Sequence, residues 1–272
     1  MSDIFGIMDK IKSIIKDEEY DNTHTDFKSF AKMSTFIKNV PEALKRSILQ
    51  DAIMGKLVPQ IQDEGSATDI INKVNEENQR LLKEKKIKKK DIQVDEILEE
   101  DIPFDIPENW TWVRLKTLCN SFIVPQRDKP TKFDGDIPWC RIEDIEGKYL
   151  NGSKSNQLVT KELADSMNMH LCPKGTVICA CSASIGNQAI TTVECYTNQT
   201  FIGIVCKDYA LYNEYLYYFF MSQKQALKDL GKGTTISYIS RKKFEDYIVP
   251  LPPFNEQVRI VRKIEELFGV LK

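Results

Sequence analysis

The stretch Val249-Pro-Leu-Pro-Pro-Phe-Asn-Glu-Gln-Val258, continuing through Arg259 to Phe268, limits the fold of this chain more than any other. Prolines fix φ and supply no backbone donor, so a strand reaching Val249 to Leu251 must end at the proline pair. Asn255 is placed to cap a helix there, and Glu256 in its first turn suits the positive end of the dipole. Ile260, Ile264, Leu267 and Leu271 then recur at spacings of four, three and four, the seam of a coiled coil. Strand, stop and amphipathic helix in one short run imply a mixed α+β chain in which a sheet domain hands over to a helix.

The two ends repeat each other. Leu267-Phe-Gly-Val-Leu271 matches Ile4-Phe-Gly-Ile-Met8 in type at five consecutive positions, and Ile4, Met8, Ile11 and Ile15 show the same four-three-four spacing. So short a match arises by chance as well. The alternative is one unit of a two-unit molecule, divided inside its repeating helix, for which pairing with a copy of itself is the natural remedy. The segments Ala43 to Gln60, Gly135-Asp-Ile-Pro-Trp139, Thr197-Asn-Gln199 and Val249 to Pro253 resemble specificity (S) subunits of type I restriction-modification systems, in a half-length form with a single target-recognition domain. The likeness is strongest over 41–60, 100–115, 135–142 and 249–268, and weakest over 116–134 and 150–170. It implies an α/β target-recognition domain with long coiled-coil-type conserved helices. It also implies double-stranded DNA, methyltransferase (M) subunits and, through the complex, restriction (R) subunits as partners. S-adenosylmethionine and ATP then belong to those partner subunits, and this chain carries no cofactor.

Along the chain, residues 1–60 read as a conserved helical region, with a heptad helix over 1–19. A second helix starts near Pro41, presents Leu44, Ile48 and Ala52 on one face, and stops at Gly55. Residues 61–100 read as a helix over about 67–89, ending in a lysine run, followed by a charged connector. Seven of the eleven residues from Arg80 to Lys90 are Lys or Arg, and eight acids with no base follow from Asp91 to Asn109. The lysine run reads as a solvated end favoured by the helix dipole or as a DNA arm. Residues 101–253 alternate short apolar runs with Gly, Asn and Pro and form the recognition domain, with Asn213 to Leu230 as one long helix. Residues 254–272 begin a second conserved helix.

Net charge is −2 over the 272 residues, so the whole chain carries no nucleic-acid signature. The stretch Trp110 to Pro250 holds 17 Lys and Arg against 14 acids, a mild basic excess compatible with DNA. Seven cysteines, several inside apolar runs, read as reduced core residues; Cys172, Cys179, Cys181 and Cys195 beside His170 are the alternative, a zinc site without paired knuckles. Neither a signal peptide nor a membrane-length apolar run is present, so the expectation is a cytoplasmic protein with no membrane contact.

Catalytic signatures fail on chemistry. Leu251-Pro-Pro-Phe254 approaches the loop of DNA amino-methyltransferases, but leucine cannot accept from a target amine. Gly231-Lys-Gly-Thr-Thr lacks nucleotide-loop spacing, and the two histidines, His24 and His170, lie in no motif. The chain reads as non-catalytic. Three segments are candidates for DNA contact. The loop Gly231 to Lys243 offers two glycines for close approach of backbone to phosphate, with Lys232, Thr234, Thr235, Ser237, Tyr238, Arg241 and Lys242 as contacts. The turn Ser182 to Gln188 offers Ser182 and Ser184, with Asn187 and Gln188 able to read adenine. Lys129, Lys132 and Arg141 come third. A structural turn or hairpin accounts for the first two loops equally well, and Trp112 and Trp139 read as core. Ile4, Met8, Ile11, Ile15, Leu44, Ile48, Ile260, Ile264, Leu267 and Leu271 are the expected dimer or partner-helix positions. A second reading is an assembly protein that dimerises or binds M subunits without reading DNA, because only 18 residues follow Phe254.

Overall fold

The structure, a computed structural model, describes residues 27–125, 128–232 and 237–271, and over 27–39 the backbone alone. The heptad positions Ile4, Met8, Ile11 and Ile15 lie outside the described residues, as do Thr234 and Thr235.

Helix α1, Phe27–Ile53, runs through Pro41 instead of starting there. Proline removes one helical donor, but Leu44, Ile48, Leu49, Ala52 and Ile53 beyond it are all buried, and that packing outweighs the lost bond. Gly55, at φ +70°, ends the helix, and a methyl group there would stand 2.3 Å from Pro107 Cγ. Helix α2, Ala67–Lys83, starts where the Ser66 amide and hydroxyl both donate to Asp69, at 2.8 and 3.0 Å. It ends within the lysine run, at Lys83 and not near 89: Lys85 turns the chain at φ 58°, and of the rest of the run only Lys89 and Lys90, in the short α3, Lys89–Ile92, are helical. Crowded like charges disfavour continuing the helix. The acidic connector is irregular, as its prolines require. It is strapped down by Arg114, which donates to the carbonyls of Asp95 and Glu96 at 2.6 and 2.7 Å.

The strands are short. In chain order they are β1 Thr111–Arg114, β2 Cys119–Ile123, β3 Ile137–Cys140, β4 Ile145–Glu146, β5 Tyr149–Leu150 and β6 Leu158–Val159, then β7 Val177–Ala180, β8 Gln188–Thr191, β9 Tyr196–Thr197, β10 Phe201–Cys206 and β11 Ile248–Leu251. A six-stranded sheet has the order β2-β10-β7-β8-β5-β4, a three-stranded sheet the order β6-β3-β9, and β1 pairs with β11. In β7, Val177 and Cys179 face the main core while Ile178 and Ala180 face a smaller cluster with Phe201, Cys172 and Cys195. This alternation explains runs that are apolar at every position: both faces of the sheet are covered.

Four further helices serve the sheet: α4 Lys161–Ser166, α5 Asn213–Ser222, α6 Lys224–Leu230 and α7 Arg241–Glu245. The expected single helix over 213–230 is therefore two. The break falls at Gln223, whose amide reaches the carbonyls of both Phe219 and Phe220, while the Ser222 hydroxyl takes the Phe219 carbonyl at 2.6 Å.

Helix α8, Phe254–Val270, closes the fold against α1 and α5. Its cap differs from expectation. Pro253 occupies the cap position with no side-chain bond, because the proline pair delivers the chain straight into the helix with Phe254 as its first residue. Asn255 is left in the first turn, exposed. Ile260, Ile264 and Leu267 are buried in the main core together with Ile48, and Leu271 packs partly against it. The seam is thus filled from within the chain. No helix among the described residues is long and apolar enough to cross a membrane.

Candidate nucleic-acid interface

The chemistry that fixes the scaffold is concentrated at the start of α8. Gln257 is fully buried; its carbonyl oxygen accepts from the Tyr212 amide at 2.8 Å, and its nitrogen donates to the carbonyls of Ala210 and Pro252 at 3.0 and 3.1 Å. Buried Glu256 accepts from Gln60 Nε2 at 2.7 Å, and burial raises its carboxyl above the ordinary carboxylate value. Arg259 grips Glu64 at 2.6 Å and the Pro59 carbonyl at 3.1 Å. In the adjoining segment, Glu77 of α2 accepts a short bond from Tyr209 and an ion pair from Lys207 at 3.1 Å, and the two together lower its carboxyl. These contacts lock helices onto the sheet domain and leave its loops to face outward.

Two of the three candidate loops come together. Ser182 and Tyr238 form an isolated antiparallel bridge, and the Ile239 amide donates to the Cys181 carbonyl at 2.8 Å. Ile185 is buried against Gly231, where a methyl group would stand 2.5 Å from its Cδ1. Packing between the loops by itself requires glycine at Gly231; Gly233 lies outside the described residues.

The turn itself is tight. The Ser184 amide closes on the Ser182 carbonyl, Ala183 adopts φ 48°, and Gly186 adopts φ 90° with Lys224 pressed against it. A left-handed alanine costs about 1 kcal/mol and persists only where its surroundings dictate it. The effect is to project Ala183 and Asn187 to solvent, with Ser182 and Ser184 half-buried beside them. Gln188 goes the other way. It is 7% exposed, and with its nitrogen turned toward Gly186 it donates to that carbonyl at 2.9 Å and accepts from the Met221 amide at 3.1 Å. Its amide belongs to the interior, because it opens β8 on the inward face.

The basic residues after Gly231 are exposed and paired with near neighbours. Lys232 meets Asp229 at 2.6 Å, Arg241 meets Glu245 at 2.7 Å and Lys242 meets Asp246 at 2.8 Å. Ser237 and Tyr238 are exposed. From Arg241 the surface continues into an open cleft of about 580 Å3, whose wall includes Ser121, Lys161, His170, Tyr196 and Val205. Lys161 and His170 bring two further cationic or donor side chains to this face. Sequence reading missed Lys161 altogether, since no local pattern marks it; only the packing of α4 beside β2 puts it there.

The third candidate group belongs to the small sheet. Trp139 is buried, with Lys129 at 6.0 Å and the Arg141 guanidinium at 5.9 Å from its ring. Arg141 pairs with Glu143 at 3.0 Å, and its backbone amide donates to buried Asp144 at 2.7 Å. Lys132 is exposed. Trp139 sits opposite Tyr196 in the parallel β3–β9 pair, so this sheet forms one flank of the cleft. Trp112 is half-buried in a second groove of about 460 Å3 with Phe104, Phe219 and Tyr247.

All seven cysteines are buried. Cys179 and Cys181 face one cluster and Cys172 and Cys195 the other, which separates the four residues weighed as a zinc set. Burial pushes the Cys172 thiol up to about 12 and the Cys181 thiol up to about 11, the behaviour of core residues.

A family model described as the type I restriction modification DNA specificity domain matches residues 107–271. The specificity subunit of the type I restriction enzyme EcoAI of Escherichia coli is 30% identical over 247 residues, covering 83% of this chain and 39% of that protein. The MjaIX specificity subunit of Methanocaldococcus jannaschii is 29% identical, covering 57% and 37%. In fold, the chain is similar to the HsdS subunit from Thermoanaerobacter tengcongensis, with a TM-score of 0.51 at 17% identity, over 89% of this chain and 50% of that one. A structure described as the basis of complex assembly and conformational transition of the type I R-M system gives 0.52 at 19%, over 90% and 51%. The chain spans about two fifths of the length of the curated relatives it matches.

Proposed function

The chain belongs to the type I restriction-modification DNA specificity family, and from that premise we propose that it reads one half of a bipartite DNA target. The reading face is the surface that carries Ser182, Ser184, Asn187, Ser237, Tyr238 and Arg241 and continues into the cleft with Lys161 and His170. The single observation behind this assignment is the bridge between the two loops, which makes one surface from segments some fifty residues apart. Asn187, projected by a strained turn, is the candidate for base readout. Lys232, Arg241, Lys242 and Lys161, with Thr234 and Thr235, serve phosphates. The carboxylate pairs of Lys232, Arg241 and Lys242 are at least partly exposed and contribute at most about 1 kcal/mol each, so a phosphate can displace them. Lys129, Lys132 and Arg141 flank the same cleft as secondary contacts.

The chain supplies recognition and no catalytic group. S-adenosylmethionine and ATP sit on the methyltransferase and restriction subunits, in the cytoplasm. Helices α1 and α8 dock the methyltransferase subunit. Because Ile260, Ile264 and Leu267 face the chain's own core, docking uses the outward side, where Val270 is 67% exposed. Two copies pair through the N-terminal heptads and the end of α8, and the target is an interrupted palindrome whose gap the helices set.

Selection of bound duplexes from a random pool by the purified chain tests the central reading. Enrichment of an interrupted palindrome is the expected result, and recovery of no sequence preference would sink it. Light scattering on the eluting chain tests self-pairing separately. A monomer at micromolar concentration, alone and with its methyltransferase subunit, would remove the two-copy part and leave the DNA reading standing.

A further inference from the structure

Lys148 lies at the tip of the β4–β5 hairpin, after Gly147 at φ 59°, and reaches two helices at once, α5 within the recognition domain and α8 beyond it. Its ammonium meets Glu214 of α5 at 2.8 Å and Glu265 of α8 at 2.5 Å, with only 12% of its side chain exposed. Tyr149 donates to Glu214 at 3.2 Å, Tyr218 donates to Glu265 at 3.4 Å, and the Lys148 ammonium sits 5.5 and 5.0 Å from the two rings. Burial works against the charge, but the two carboxylates outweigh it and hold the ammonium protonated above its ordinary range.

The same residue is tied to the reading face through the backbone. The Ile190 amide donates to the Lys148 carbonyl at 2.9 Å, and β5 pairs with β8, the strand that leaves the 182–187 turn. One residue therefore connects the strand that follows Asn187 to the helix that leads away from the domain. The first turns of α8 are fixed by Glu256, Gln257 and Arg259, and its second half meets the recognition domain through Lys148, through Phe268 against Tyr218 at 6.0 Å, and through buried Ile264 and Leu267.

We propose that Lys148 is a positioning residue that sets the angle between α8 and the reading face, and through it the length of the gap between half-sites. The proposal rests on the two-half-site reading above. The lever is short: α8 spans about 25 Å at 1.5 Å per residue, so a tilt of about 8° displaces its end by about one base-pair step of 3.4 Å.

The test is selection from a duplex pool of two half-sites separated by a randomised gap, comparing the full wild-type chain with Lys148→Met and Glu265→Gln. Thermal melts establish that each variant folds. The expected result is unchanged half-site letters with a gap distribution shifted or broadened by about one base pair, and restoration of the wild-type gap by Lys148→Arg. An unchanged gap in a folded variant would overturn the proposal, as would altered half-site letters, which would place Lys148 among the reading residues instead. Should Lys148→Met not fold, Glu265→Gln carries the same comparison, since Glu265 is half-exposed and its loss leaves Lys148 paired with Glu214. A wild-type chain that enriches no bipartite target would remove the function reading, and this assignment with it.

Discussion

The first turns of α8 and the loop after Gly231 treat polar side chains in opposite ways. In α8, Glu256, Gln257 and Arg259 find partners 45 to 200 residues away in sequence, with the Pro252 carbonyl as one near exception. After Gly231, Lys232, Arg241 and Lys242 pair with acids three or four residues away, in water. Long-range buried bonds cannot be exchanged without leaving groups unsatisfied. Local exposed pairs can be, at almost no cost. The difference separates a frame that cannot be rearranged cheaply from a surface that can exchange its present partners for others.

That contrast is sharpest in the core. Ile264→Ala should destabilise the chain by about 3 kcal/mol, because Ile264 is 1% exposed beneath α1 and α5; chemical denaturation measures it. A cost below about 1 kcal/mol would mean that α8 is free to serve as a partner's seam after all. Gln257→Ala should cost about 2–3 kcal/mol, since it strands the Tyr212 amide and two carbonyls. DNA selection by the folded fraction should be unaffected. Arg241→Ala should do the reverse: a stability change within about 0.5 kcal/mol, a roughly tenfold loss of DNA affinity, and a salt dependence shallower by about one unit of slope. If Arg241→Ala destabilises as much as Gln257→Ala, the division between frame and surface fails.

Glu256 gives the smallest and most specific effect. Burial raises its carboxyl in the folded state, so the folded chain holds that proton more tightly than the unfolded one. The associated stability is complete below the ordinary carboxylate value of about 4.3 and is lost as pH rises through the raised value. Glu256→Gln keeps an acceptor for Gln60 and removes this slope. Its melting temperature should vary less than that of wild type between about pH 4.3 and neutrality. Equal slopes would show that Glu256 does not titrate in that window.

The sequence made the frame legible as pattern but not as contact. Val249 to Phe268 announces strand, stop and helix, yet Asn255 reads as the cap while the side chains that hold the helix are Glu256 and Gln257. Their partners, Gln60 and Tyr212, lie far away along the chain, and no local rule points to them. Helix α1 was legible from Pro41 onward, and only its first half was hidden, because the local penalty of Pro41 is overruled by burial downstream. At the proposed reading face, the 182–188 and 231–243 loops were visible through their Gly, Ser and Asn content. Gln188 looked equivalent to Asn187, because which of two neighbours points outward depends on where β8 begins. Lys161 carries no signal of its own and acquires a role only when α4 is packed beside the cleft.

The β1–β11 pair has a consequence for how such a chain can change. Thr111 stands opposite Leu251 and Arg114 opposite Ile248, so the polypeptide enters and leaves the intervening segment through two strands lying side by side. A segment with adjacent ends can be exchanged for another of different length and content without displacing what flanks it. Residues 115–247 thus behave as a cartridge seated in a two-strand socket. A graft joined at Arg114 and Ile248 inherits the helices unchanged, provided it brings its own counterparts to Lys148, Tyr212 and Glu214 to meet them.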